Sequence, residues 1–138
     1  METKDTFVAQ EGGSHYQAEY QHWDWVVDIG MTYLPANATK YVSRWQKKNG
    51  LQDLLKAQTY LDKLIVTWDI VFQSTVEPPE NIDELNARFI SSIGYGANSP
   101  EARICFLLSD LGDSDGIDRV MQARDVLSEL ILDAQGRP

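Results

Sequence analysis

Apolar residues recur along this chain at the three-and-four spacing of amphipathic helices, and no segment alternates with the period of two that marks a strand. Trp25, Val26 and Ile29 predict a short helix over Trp23 to Gly30, with Gly30 as its C-terminal stop. A second helix is predicted from Pro35 to Lys48, because proline suits a first turn and Asn49-Gly50 closes the segment. The longest runs from Leu51 to Ser74, where Leu54, Leu61, Leu64, Ile65, Trp68 and Phe72 form one apolar stripe. Pro78-Pro79 interrupts the pattern. Beyond it, Asn81 and Glu84 have the spacing of a capping box ahead of Ile82, Leu85, Phe89, Ile90 and Ile93, in a helix that ends at Gly94. Ser99-Pro100 reads as an N-cap with proline at the first helical position, opening a helix through Leu111. After the turn Gly112 to Gly116, a last helix spans Ile117 to Ala134 with Val120, Met121, Leu127, Leu130 and Ile131 facing inward. The expected fold is all-α: a compact domain of five to six helices, with a central hairpin of 35–48 and 51–74 and C-terminal helices packed on it.

The organisation follows from the same pattern. Residues 1–14 end in Glu11-Gly12-Gly13-Ser14 and read as a flexible N-terminal arm. Residues 15–75 form a helical region, and 76–138 an acidic helical region packed on it, since each alone would have a thin core. No apolar run is long enough to span a bilayer, and Met1 to Gln10 lacks the apolar stretch of a secretory leader, so a cytoplasmic protein is expected. Cys105, the single cysteine, sits in the apolar run Ile104 to Leu108 and reads as a small buried core residue.

Charge changes the picture. The net charge is −9, which argues against non-specific binding to nucleic-acid phosphates. Residues 1–70 nevertheless hold seven basic side chains against nine acidic ones, whereas residues 71–138 hold five arginines, no lysine and twelve acids. Most of the first group fall between Lys40 and Lys63. A local positive site on an acidic protein suits a small anionic ligand better than a polymer.

On a helix, Asn37, Lys40, Tyr41, Arg44 and Lys48 share one side, and Ala38, Val42 and Trp45 another. On the next helix Asp53, Lys56, Tyr60 and Lys63 again share a side, so a hairpin through Asn49-Gly50 sets the two polar faces beside one groove. Arginine offers a planar fork to phosphate oxygens, lysine a point charge, tyrosine a stacking face and asparagine a donor and an acceptor. Solvated charges near a helix C-terminus, where Lys47 and Lys48 complement the dipole, are the simpler alternative.

The order His15-Tyr16, Trp23 to Ile29, Asn37-Ala38-Thr39-Lys40-Tyr41 with Arg44, Lys47-Lys48-Asn49-Gly50, Asp53-Leu54 with Lys56-Ala57, and Tyr60-Leu61 resembles a family of small phage-encoded proteins described as nucleotide-kinase-like. The resemblance covers about residues 14–66. It implies nucleotide binding, and, by analogy with members that phosphorylate deoxynucleoside monophosphates, phosphoryl transfer supported by Mg²⁺ with a nucleoside triphosphate. The site residues it implies are His15, Tyr16, Asn37, Lys40, Tyr41, Arg44, Lys47, Lys48, Asp53, Lys56 and Tyr60. Lys40, Arg44, Lys47 and Lys56 would take the phosphates, and Tyr41 or Tyr60 the base. Trp45 departs from the family pattern, residues 76–138 have no counterpart in it, and the chain lacks GxxxxGK[ST], so phosphates would be held without a P-loop.

Other constellations are weaker. His15, Glu19 and His22 have metal-ligand spacing, but a hydrogen-bonding or ligand-contacting His15 accounts for them as well, and no metal site is assigned. Asp24, Asp28 and Asp53 are the carboxylates available for Mg²⁺. Asp113-Ser114-Asp115-Gly116 lacks the first and last ligands of a calcium loop and reads as a helix cap. Besides a nucleotide kinase, two alternatives stand: a non-catalytic sponge for a host nucleotide immune signal, including a cyclic one, and an acidic partner-binding inhibitor of a host protein. The long helix also offers an apolar stripe for homo-oligomerisation.

Overall fold

The computed structural model describes residues 20–136, and among these it is all-α. The helices are α1 His22–Ile29, α2 Tyr33–Arg44, α3 Leu51–Val66, α4 Trp68–Val71 with a 3-10 turn Phe72–Ser74, α5 Ile82–Ile93, α6 Pro100–Leu108 and α7 Gly116–Gln135. Gly30 and Gly94 close α1 and α5 in the left-handed conformation. Ser99 caps α6 by accepting from the Ala102 N–H at 3.1 Å, with Pro100 at the first helical position.

Two buried clusters hold these elements together, and α6 belongs to both. In the larger, Ala38 and Val42 of α2 and Leu54, Ala57, Leu61 and Leu64 of α3 meet Ile104 and Leu108 of α6 and Val120 and Leu127 of α7. In the smaller, Trp25 and Ile29 of α1 and Leu85, Phe89 and Ile90 of α5 meet Ala102 and Cys105 on the other side of α6. Trp25 and Phe89 stack at 4.4 Å with an interplanar angle of 8°. Both clusters therefore draw on residues from either side of Pro78-Pro79. Cys105 is fully buried, and that burial pushes its thiol well above the ordinary range.

Several element ends differ from expectation, for local and tertiary reasons. The third helix breaks at Thr67, whose hydroxyl donates to the Lys63 carbonyl at 2.7 Å and offers the backbone an alternative to the next helical turn. The break lets Trp68 pack against Gly116 and leaves Phe72 partly exposed. Helix α6 stops at Leu108 rather than Leu111 because Arg119 of α7 caps it, donating to the carbonyls of Phe106 and Leu107 at 2.8 and 3.0 Å. Asn81 makes no capping bond, since its φ of −91° and ψ of 29° are not the extended conformation a cap needs. A turn in which the Ile82 N–H donates to Pro79 O starts α5 instead. Met121 points outward.

Gly116 tests the packing of α7. A Cβ there would lie 2.5 Å from the Leu111 carbonyl oxygen and 2.8 Å from the Trp68 ring, whereas at Gly96 it would meet nothing within 4 Å. In urea denaturation Gly116→Ala is expected to cost about 1–3 kcal/mol and Gly96→Ala less than roughly 0.5 kcal/mol. Equal stability of the two variants would contradict this packing.

Candidate functional site

The α2–α3 hairpin turns its apolar sides into the larger core and its polar sides outward. The predicted second helix ends at Arg44, and residues 45–50 form a wider turn in which the Gly50 N–H donates to Trp45 O at 2.8 Å. Gly50 adopts φ 59° and ψ −134°, a conformation that favours glycine. Trp45 is buried here. Its Nε1–H donates to Glu101 Oε2 of α6 at 2.9 Å, joined by Gln46 Nε2 at 3.2 Å, so Trp45 ties the turn to the central helix.

Asp53, in the first turn of α3, has no solvent-exposed side-chain surface. Its Oδ2 accepts from Arg44 Nε at 3.3 Å and from the Asn49 N–H at 3.3 Å, and its Oδ1 from Arg44 Nη2 at 3.5 Å. Burial by itself pushes the carboxyl up. The hydrogen bonds from Arg44 and Asn49 and the Arg44 charge outweigh it and hold the group below its ordinary value. The helix N-terminus favours the same charge.

Pinned in this way, Arg44 lies with its Cζ 4.7 Å from the centroid of the Tyr41 ring. Lys40 Nζ stands 5.6 Å and Lys56 Nζ 5.3 Å from the same centroid, within the range of cation–π attraction. Tyr60 stacks on Tyr41 at 5.9 Å and 11°, and Tyr33 meets Tyr60 at 6.1 Å and 72°. The Tyr60 phenol is raised by its hydrogen bond with Tyr33, by desolvation and by the neighbouring phenols. Among the described residues only Arg44 of the three cations has a carboxylate in ion-pair contact. Among the described residues the result is a surface cluster of three tyrosines and three cations, with one matched charge.

A family model for a protein of unknown function, DUF3310, matches residues 11–62. That segment contains every member of the tyrosine–cation cluster. No curated protein and no solved structure matches the chain.

The remaining sequence candidates are placed as follows. Lys47 and Lys48 are exposed in the turn beyond α2, outside the set of cations over Tyr41. Asn37 donates from its side chain to Tyr33 O at 2.9 Å, within its own helix. His15 and Tyr16, and with Glu19 most of the proposed metal triad, lie outside the described residues. Tyr33 was missed. Its signal is the row Tyr33, Asn37, Tyr41, which extends the polar face of α2 back by four residues.

Mg²⁺ does not fit the carboxylates named for it. Asp53 is committed to Arg44, and Asp24 accepts from the Gln21 N–H at 3.0 Å as half of a capping box on α1. Asp28 accepts from the Tyr20 hydroxyl at 2.6 Å. Among the described residues no group of three His, Cys, Asp or Glu side chains could hold a metal ion. A separate cleft of about 440 Å³ between α6 and α7 is lined by Arg103, Asp125, Glu129 and Asp133 among others, so the acidic half presents a surface of its own.

His22 links α1 to α2 behind the cluster. The one proton of the Thr39 hydroxyl has the carbonyl oxygens of Pro35 and Ala36 at 3.1 and 3.0 Å, which leaves a lone pair to accept from His22 Nε2–H at 2.9 Å. The imidazole also packs against Trp25 and Phe89. This burial, with the Lys40 charge, pushes its pKa down to about 4 from 6.5. Between those two values the unfolded chain binds the proton more readily, so stability is complete above pH 6.5 and falls as pH drops towards 4. The loss amounts to roughly 3 kcal/mol. The depressed Asp53 carboxyl acts in a separate window: its contribution is present above 3.8 and disappears as pH falls through its lower folded value. Denaturation followed from pH 7 to 4 should therefore show a slope that His22→Gln removes. A slope of the same size in the variant would rule out His22 as its source.

Proposed function

We propose that this protein binds a phosphorylated nucleotide on the outer face of the α2–α3 hairpin, with Lys40, Arg44 and Lys56 on the phosphates. One observation carries this reading: three cations converge on one tyrosine ring, and only one of them is neutralised by a carboxylate among the described residues. Three like charges brought together repel one another, and an anion of two or more charges relieves that repulsion. Exposed cations at contact distance from phosphate contribute about 1 kcal/mol or somewhat more each, so binding would be moderate and salt-sensitive. The resemblance to nucleotide-kinase-like phage proteins supports the same ligand class.

Retention of the ligand is favoured over phosphoryl transfer. Transfer needs a base or a metal-bound carboxylate beside the phosphates, and among the described residues the carboxylate that touches the cluster, Asp53, is buried and consumed by Arg44. The protein would then act by sequestration, as a sponge for a nucleotide signal does.

The test is to mix purified protein with nucleoside mono-, di-, tri- and cyclic phosphates and Mg²⁺, and to analyse the free pool by chromatography before and after heat denaturation. The expected outcome is depletion of one ligand, its unchanged return on heating, and affinity at least roughly tenfold weaker in Lys40→Ala/Lys56→Ala. New phosphorylated products would establish transfer instead, and an unchanged pool would refute the binding reading.

A further inference from the structure

The three tyrosines of the cluster are not equivalent. Tyr41 is hemmed in by Tyr60 and by three cations between 4.7 and 5.6 Å from its centroid, which leaves little of its surface for a ligand. Tyr60 is partly buried between Tyr41 and Tyr33. Tyr33 is 69% exposed, although its orientation is restrained by the roughly perpendicular contact with the Tyr60 ring. A large aromatic side chain left in water yet held by a ring on one side is a preorganised stacking platform, with part of its side-chain freedom already given up before binding.

Position along the helix supplies the second argument. Tyr33 precedes Lys40 by seven residues on the same face of α2, a rise of roughly 10 Å. Asn37 lies between them. The surface thus runs from an aromatic ring through a polar middle to a cluster of cations, the order in which a nucleotide presents base, sugar and phosphate.

We infer that Tyr33 is the base-stacking residue of this site, and that its ligand class is a nucleoside 5′-phosphate engaged at both ends rather than a bare phosphate. The inference rests on the nucleotide-binding reading above. A phenol face accepts any base, so discrimination among bases follows stacking strength, and purines should bind more tightly than pyrimidines.

The experiment is calorimetric titration of wild type, Tyr33→Ala, Tyr33→Phe and Lys40→Ala with adenosine 5′-triphosphate and, separately, with inorganic tripolyphosphate. Tyr33→Ala is expected to weaken the nucleotide by roughly tenfold or more while leaving tripolyphosphate unchanged. Tyr33→Phe should stay within a few-fold of wild type for both, and Lys40→Ala should weaken both. If Tyr33→Ala leaves the nucleotide unaffected, or weakens both probes equally, the assignment to Tyr33 is overturned while the phosphate site stands. If wild type binds neither probe, the nucleotide reading itself fails. Because the Tyr33 side chain is mostly in solvent, its replacement should leave the helical circular dichroism unchanged, so a loss of binding reads as a loss of contact.

Discussion

A carboxylate with no exposure to water stays ionised only if its surroundings replace the water, and Asp53 places that demand on the α2–α3 hairpin. Arg44 meets it from the end of α2 and the Asn49 amide from the turn. Removing Arg44 would strand the Asp53 carboxylate away from water, so the hairpin geometry and the orientation of Arg44 are fixed together. Arg44 is the cation nearest the Tyr41 ring, and its other contacts are set by the same bond. The proposed binding surface is thus held by an interaction whose first role is to keep the fold intact.

Rigidity behind that surface comes from α6. The helix is short, but it is buried on two sides: Ile104 and Leu108 serve the core under the hairpin, and Ala102 and Cys105 serve the core under α1 and α5. Glu101 at its start receives Trp45 and Gln46 from the hairpin turn. The carbonyls of Phe106 and Leu107 at its end receive Arg119. A buried helix tied at both ends to distant residues couples the acidic C-terminal half to the cationic face, which is how residues 76–136 support a site to which they contribute no cation over Tyr41.

Much of this was legible in the sequence because it depends on neighbours along the chain. Gly30, Gly94 and Ser99-Pro100 end or begin helices through local geometry, and the three-and-four spacing of Leu54, Leu61 and Leu64 identifies a core face without knowledge of what covers it. The gathering of Lys40, Tyr41, Arg44, Lys56 and Tyr60 follows from two helical faces and a short turn. What the sequence hid depends on partners far away in it. Thr67 breaks the long helix where Trp68 reaches Gly116, Arg119 shortens α6 from the next helix, and Asn81 has capping chemistry but not the backbone that uses it. The carboxylates were misleading for the same reason. Asp24, Asp28 and Asp53 are ordinary acids in sequence, and only their partners Gln21, Tyr20 and Arg44 show them to be structural.

The central claim is that the anion-binding surface lies on the hairpin and not in the acidic cleft between α6 and α7. Amide spectra of ¹⁵N-labelled protein, recorded during titration with a nucleoside triphosphate, test it most directly. The account predicts saturable shifts concentrated between Tyr33 and Tyr60, with α7 residues such as Asp125 and Glu129 unmoved; shifts centred on the cleft around Arg103, or none at all, would contradict it.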